Sequence, residues 1–430
     1  MEAGDNRRET LLPITSSSSQ SHELDELKRC MWWLKWVSED SGWTTFLSWL
    51  AFIVFAIAVP CLSHFYLACS DCDSNHSRPY DAIVQLSLSA VAALSFACLS
   101  QFSRRYGFQR FLFVDRLYEE SETVQKGYTA ELNTSFRMLL ILVVPCFLVE
   151  SAYKIWWYAS GSGTRVPYKV GNTVLLSDTF ACIIELGSWL YRTVLFFLVC
   201  VLFRLICFLQ IFRLQHFSSQ VFKLDSDDVV SILREHIRIK RHLRVISHRY
   251  RLFITLTLIL ITVSGFLSLL MVTRPSAQLN LYETGELVVC SVSLIAGLVI
   301  IFNSATKITH KGQALTSLAA KWSVCAEVKS FDNAEEAETP VVARNHVFDD
   351  DDVGDEEEED EIDNTDDVML FNSSTMDFQK RQALVTYFEN NVAGITLYGF
   401  MLDRTYCANV LFGVEFSLLL WLLGKTIGIS

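Results

Sequence analysis

Residues Asn390 to Ser430 read NNVAGITLYGFMLDRTYCANVLFGVEFSLLLWLLGKTIGIS. Within them, Thr405 to Gly424 is apolar and, at ~1.5 Å of rise per residue, long enough to cross the ~30 Å hydrocarbon layer of a bilayer. One carboxylate interrupts the run. Glu415 lies eleven residues beyond Arg404, hence roughly 16 Å into the helix and near mid-membrane depth. A charge there is costly unless it faces water or a partner. The stretch predicts a membrane helix with one functional or structural acid in it.

Composition agrees with a membrane protein. Hydrophobic residues make up 51% of the 430 and charged residues 20%, with a positive mean hydropathy, which is not a soluble composition. The net charge of -12 has a local origin: fourteen acidic residues and no basic ones fall between Asp349 and Asp367, and without them the charge is +2. No nucleic-acid partner is expected. No signal peptide is expected either, because the first hydrophobic run begins near Thr44 after a polar, serine-rich leader.

Further spans are expected at Thr44 to Ala68, Ala82 to Phe102, Met138 to Ser160, Thr179 to Leu214, Leu252 to Val272 and Leu287 to Ala305. Arginine and lysine cluster after the second span (Arg104, Arg105, Arg110, Arg116) and before the fifth (Arg234, Arg238, Lys240, Arg241, Arg244). By the positive-inside rule these segments and the leader are cytoplasmic. The expected fold is therefore all-α: seven transmembrane helices, N-terminus inside and C-terminus outside. Its divisions are a partly disordered leader (1–43), six spans with cytoplasmic helix extensions (44–330), an acidic disordered loop (331–377), and a cytoplasmic helix with the last span (378–430). Val230, Leu233, Ile237 and Leu243 mark one face of the extension before the fifth span, and Ala314, Leu315, Leu318, Ala319 and Trp322 mark one after the sixth. Leu384, Val385, Phe388 and Val392 lead up to Gly394 and Gly399, which suggest a break before the last span.

Four more charges fall within spans. Glu150 and Lys154 are four residues apart, one helical face in the favourable order for an ion pair; Glu185 and Arg192 are seven apart, again one face. With Tyr153, Trp157 and Trp189 nearby in sequence, two readings stay open. One is a structural ion-pair network with an interfacial aromatic belt; the other is an aromatic-walled, partly charged ligand pocket in the outer half of the membrane. For the last span the alternatives are a carboxylate bonded to a neighbouring helix, or a pore lined by Phe412, Glu415, Phe416 and Leu419 that favours cations.

Cys69 and Cys72 form a C-x-x-C in the first outer loop, a candidate disulfide if that loop meets an oxidising compartment. A lone C-x-x-C lacks the second pair of a zinc site. No catalytic or cofactor motif is present: His236, His242 and His248 are six residues apart and do not share a helical face, and no phosphate-cradling glycine loop occurs. No enzyme and no cofactor are expected.

The residues Gly399-Phe400-Met401-Leu402-Asp403-Arg404 resemble the G-F-x-x-[ND]-R entry to the last span of the insect odorant and gustatory receptor superfamily. The chain resembles more closely the plant gustatory-receptor-like proteins, and the Ala314 to Trp322 helix is similar as well. The resemblance implies four subunits around a central cation pore lined by the last spans, with the cytoplasmic extensions as anchoring contacts. One difference stands out. The insect receptors carry T-Y and Q-F in the outer part of the last span, whereas here Thr405-Tyr406 is at its inner end and Glu415-Phe416 further along. The expected function is a ligand-gated, tetrameric cation channel for an unknown small molecule, in the plasma membrane or an endomembrane. The alternative is a non-conducting scaffold of the same fold, with the acidic loop docking cytoplasmic proteins.

Overall fold

In lipid every backbone N–H and C=O must be paired within the protein, so long apolar runs fold as helices. The computed structural model describes residues 42–67, 80–106, 122–159, 174–223, 229–273, 281–336 and 378–427. Their regular structure is helical except for one two-residue hairpin. Six helices are long and apolar enough to cross a membrane, and a shorter apolar stretch, Gly413–Gly424, follows. A lipid bilayer is the environment of this chain.

Helix α1 (Gly42–Phe52) continues through π turns (Ile53–Ala58 and Ser63–Leu67) that flank α2 (Val59–Leu62). Pro60, at the start of α2, has no N–H to give the preceding turn, and a wider π turn accommodates that loss. Then come α3 (Asp81–Tyr106), α4 (Glu122–Ala159), α5 (Val174–Lys223), α6 (Val229–Val272), α7 (Leu281–Glu336) and α8 (Phe378–Asn390). Strands β1 (Thr396–Leu397) and β2 (Phe400–Met401) precede α9 (Arg404–Val410), a π turn (Leu411–Glu415) and α10 (Phe416–Ile427).

The chain divides into two compact units. The first comprises residues 1–209, 249–305 and 404–430, and α5 is its centre. Of the most apolar window of α5, 89% is buried, against 17% for α4. A helix that is apolar all round is stable only when surrounded, and Phe197, Cys200, Val201, Phe203, Leu205 and Cys207 have no exposure at all. Gly297 of α7 lets that helix approach closely, since a Cβ there would lie 2.3 Å from the Phe196 ring. Tyr250 of α6 packs its ring 4.9 Å from Phe203 and 5.0 Å from Phe102. Leu140, Ile141, Leu148 and Val149 of α4 point outward, an apolar exterior suited to acyl chains rather than water.

The second unit comprises residues 210–248 and 306–403. Its α6 segment buries Ile232, His236, Ile239, Leu243 and Ile246, a stripe at alternating spacings of four and three. Of the expected face, Leu243 is buried and Leu233 half-buried, but Val230 and Ile237 are 61% and 42% exposed. The stripe is rotated because His236 occupies a core position that polarity alone assigns to the surface. Its ring sits 4.9 Å from Phe388 and 6.1 Å from Phe217, and Nδ1 lies 3.3 Å from the Tyr387 hydroxyl. Leu384, Val385 and Phe388 form the buried face of α8 as expected, and so do Leu315, Ala319 and Trp322 on α7; Ala314 is exposed.

The expected break before the last span is a β-hairpin. Thr396 pairs with Met401 and Leu397 with Phe400, and Tyr398 and Gly399 turn the chain with φ of 48° and 93°. Two successive positive φ values are the signature of a tight hairpin turn. Gly312 of α7 carries this segment: a Cβ there would lie 1.9 Å from the Ala393 carbonyl oxygen. The Thr396 N–H donates to Ser247 Oγ at 3.1 Å, and Lys240 Nζ to Asn391 Oδ1 at 2.8 Å.

Three helices are longer than expected, α5 covering Val174–Lys223 rather than Thr179 to Leu214. Helix α4 begins at Glu122 rather than near Met138, and α7 runs to Glu336, into the expected acidic loop from Phe331. Neither extension meets a proline, and no glycine or proline follows Phe331 before Pro340, so nothing in the backbone stops the helix. The rest of that loop, the leader to Ser41, and Cys69 and Cys72 lie outside the described residues.

Candidate functional site

Three of the charges expected in the spans, Glu150, Lys154 and Glu185, converge in the first unit. Lys154 of α4 is 1% exposed, and its Nζ lies 3.4 Å from Glu150 Oε1, 3.2 Å from Glu185 Oε2 and 3.4 Å from Glu286 Oε1. Helical spacing brings Glu150 to Lys154. Glu185 arrives because α5 runs back along α4, and Glu286 because α7 begins at the same level. The Ser63 hydroxyl, from the π turn after α2, donates a short hydrogen bond to Glu185. The ammonium thus joins α4, α5 and α7, and Ser63 adds the turn after α2 through Glu185.

Glu286 and Ser63 were not expected in the site. Glu286 read as the end of a loop because it stands one residue before the sixth apolar run; the helix starts at Leu281, so Glu286 lies inside it. A carboxylate directly against an apolar run was the signal that could have found it.

Arg192 takes a different direction. It is 2% exposed, and its donors reach Ser188 O at 3.3 Å, Gln85 O at 3.4 Å and Ser89 Oγ at 3.2 Å, tying α5 to α3. Trp157 and Trp189 are buried, at 3% and 1% exposure, and Tyr153 is half-buried. Trp157 packs edge-on to Tyr158 at 5.0 Å, and Trp189 lies 6.1 Å from Phe147. The aromatic residues therefore fill space around the charges. A further, half-buried pair, Arg204 with Glu131, joins α5 to α4, and Arg204 Nε also donates to Ser135 Oγ at 3.2 Å.

The acid of the last span is also buried. Glu415 is 1% exposed and accepts a hydrogen bond from the Thr262 hydroxyl of α6 at 2.5 Å. Beside it is a cleft of about 10 Å³, room for a single water, lined by Ser264, Ser291, Leu419, Leu422 and others. Phe416 is half-buried, and the Phe412 side chain lies outside the described set. The opposite face of the same helix is uncovered. Tyr406, Val414, Leu420 and Trp421 are 50%, 39%, 67% and 53% exposed, and their spacing places them on one side. The last helix thus has an inner face held by Glu415 and an outer apolar face.

Outside these spans, burial pushes the His236 imidazole down to about 4, with the Lys240 charge adding to the effect. The ring is neutral at neutral pH and serves as part of the core.

Residues 22–414 match the family model described as "Protein of unknown function (DUF3537)". No curated protein matches the chain.

Proposed function

The chain belongs to the DUF3537 family of proteins of unknown function, and from that premise we propose that it is a homo-oligomeric, ligand-gated cation channel. In this reading the seven helical segments all span, with the N-terminus and the basic segment Arg234 to Arg251 in the cytoplasm and the C-terminus outside. The assembly is a tetramer related to the plant gustatory-receptor-like proteins and the insect chemoreceptor superfamily. The plasma membrane is its site, and the acidic loop docks cytoplasmic partners.

The observation that carries the proposal is the two-faced last helix. Its inner face is anchored through Glu415 and Thr262, while its uncovered face offers Tyr406, Val414, Leu420 and Trp421 to a neighbouring subunit. A mid-span carboxylate beside a water-sized cleft suits a cation pathway that opens when this helix turns. The ligand acts by binding more tightly to the turned state. Glu150, Lys154 and Glu185 sit where a ligand's charge would compete for Lys154.

One observation favours the second reading, a non-conducting scaffold: Glu415 is enclosed within its own chain, so its charge lines no path in this conformation. Electron microscopy of the detergent-purified protein, followed by conductance in planar bilayers, separates the two. Fourfold particles with the last helices at the axis and cation currents support the channel. Monomers or dimers without current remove it and leave the scaffold.

A further inference from the structure

Four carboxyl groups share one buried region of the first unit. They are Glu150 on α4, Glu185 on α5, Glu286 on α7 and Asp81 on α3, at 1%, 6%, 6% and 4% exposure. Among the described residues two permanent cations face them, Lys154 on α4 and Arg192 on α5. Arg192 directs its hydrogen bonds to backbone and serine oxygens, so it forms no ion pair with any of the four. Cys290 of α7 lies within electrostatic reach of Glu150, Glu286 and Arg192. Asp81 accepts from Gln85 Nε2 at 3.0 Å and lies 3.4 Å from His64 Nδ1, and Glu185 accepts from Ser63.

Glu150 is provided for least. Neither of its carboxyl oxygens accepts a hydrogen bond among the described residues. Its nearest cation, Lys154 at 3.4 Å, is shared with Glu185 at 3.2 Å and Glu286 at 3.4 Å, and donates its hydrogen bond to Glu286. One ammonium cannot neutralise both Glu150 and Glu286, and an uncompensated carboxylate out of water costs more than taking up a proton. A carboxylic acid removes the excess charge and offers an O–H to a neighbouring carboxylate oxygen. Two carboxyls that share a site ionise one at a time for the same reason.

We propose that Glu150 is a proton-binding site: one proton, taken from water onto its carboxylate, is held between Glu150 and the carboxylates around Lys154 and ties α4, α5 and α7 together. The step forms one O–H bond and moves no electrons. Releasing the proton leaves like charges facing one another across the ammonium, and the three helices are pushed apart. The inference does not rest on conduction, because a scaffold of the same fold would hold the same proton.

The test is hydrogen/deuterium difference infrared spectroscopy on the full chain in nanodiscs, with every protein, the wild-type reference included, carrying Glu415→Gln so that the buried acid of the last helix adds no band of its own. At neutral pH the wild-type protein is expected to show the carbonyl stretch of a protonated carboxylic acid, shifted in heavy water. Glu150→Gln, whose amide replaces a neutral acid of the same shape, is expected to fold, to melt with the wild type and to lose that band. Three results overturn the proposal. The wild type shows no such band at neutral pH; the band persists in Glu150→Gln, including the case where Glu286→Gln removes it instead; or Glu150→Gln does not fold, which would mean the charge, not the proton, is what the site needs.

Discussion

The closest approach in the second unit makes the sharpest prediction. An alanine at Gly312 would put its Cβ 1.9 Å from the Ala393 carbonyl oxygen and 2.9 Å from the Ala393 carbonyl carbon, where ordinary contact begins at 3.4 Å. About 1.5 Å of separation must therefore be found between α7 and the 393–394 backbone. Neither side yields cheaply: one is the middle of a long helix, and the other is crowded, since even a Cβ at Gly394 would lie 3.1 Å from Thr309 Oγ1 and 3.2 Å from Met401 Sδ. Moving the segment also strains the Thr396 N–H bond to Ser247 Oγ. Overpacking of this kind costs ~1–3 kcal/mol and the strained hydrogen bond ~1 kcal/mol more, against a helix-propensity gain of ~1 kcal/mol for alanine over glycine. The net is roughly 1–3 kcal/mol, or a melting temperature lower by about 3–10 °C for a unit of this size.

The control lies in the same helix. Gly285 has nothing within 4 Å of its Cβ position, so Gly285→Ala should keep or slightly raise stability. Both variants are compared with the wild type by thermal unfolding of the detergent-purified full chain. If Gly312→Ala melts no lower than Gly285→Ala, the packing of the hairpin segment on α7 is not as described here.

Three further outcomes are expected. Lys154→Met takes the shared ammonium from Glu185 and Glu286 and should cost ~3–5 kcal/mol, read as a lower melting temperature that an added Glu185→Gln change partly restores; a Lys154→Met protein as stable as wild type would refute the cluster. The imidazole of His236, at about 4 against 6.5 in its ordinary state, binds fewer protons folded than unfolded, so stability rises with pH across that window. Its contribution is whole above pH ~6.5 and falls by up to about 3 kcal/mol as pH drops towards 4, and His236→Phe should flatten that part of the stability profile. Glu415→Gln keeps an acceptor for the Thr262 hydroxyl and should fold normally, while reducing cation over anion selectivity in bilayer recordings; unchanged selectivity would take Glu415 out of the pathway.

Much of the helical framework was legible because it depends on local quantities. Six apolar runs could be read from windows of about twenty residues, since length and lack of charge are what a bilayer demands. Glu150 and Lys154 could be paired because four residues make one helical turn. The α6 stripe was misplaced for an instructive reason: a buried neutral histidine behaves as an apolar ring, while its letter counts as polar. The hairpin at Tyr398 and Gly399 was hidden because two-residue strands have no periodicity to detect. Only the glycines marked a break there.

By itself the sequence determined the all-helical class, the membrane environment and which charges lie within apolar runs, because backbone satisfaction in lipid leaves a chain little choice. Tertiary structure alone decided which of those charges meet. Lys154 could have served Glu150 only, but α5 and α7 bring Glu185 and Glu286 to within 3.4 Å of it, while Arg192 turns to α3. It also turned Glu415 towards Thr262, leaving Leu420 and Trp421 uncovered. Helical periodicity says which residues share a face; only packing between distant segments says what that face will touch.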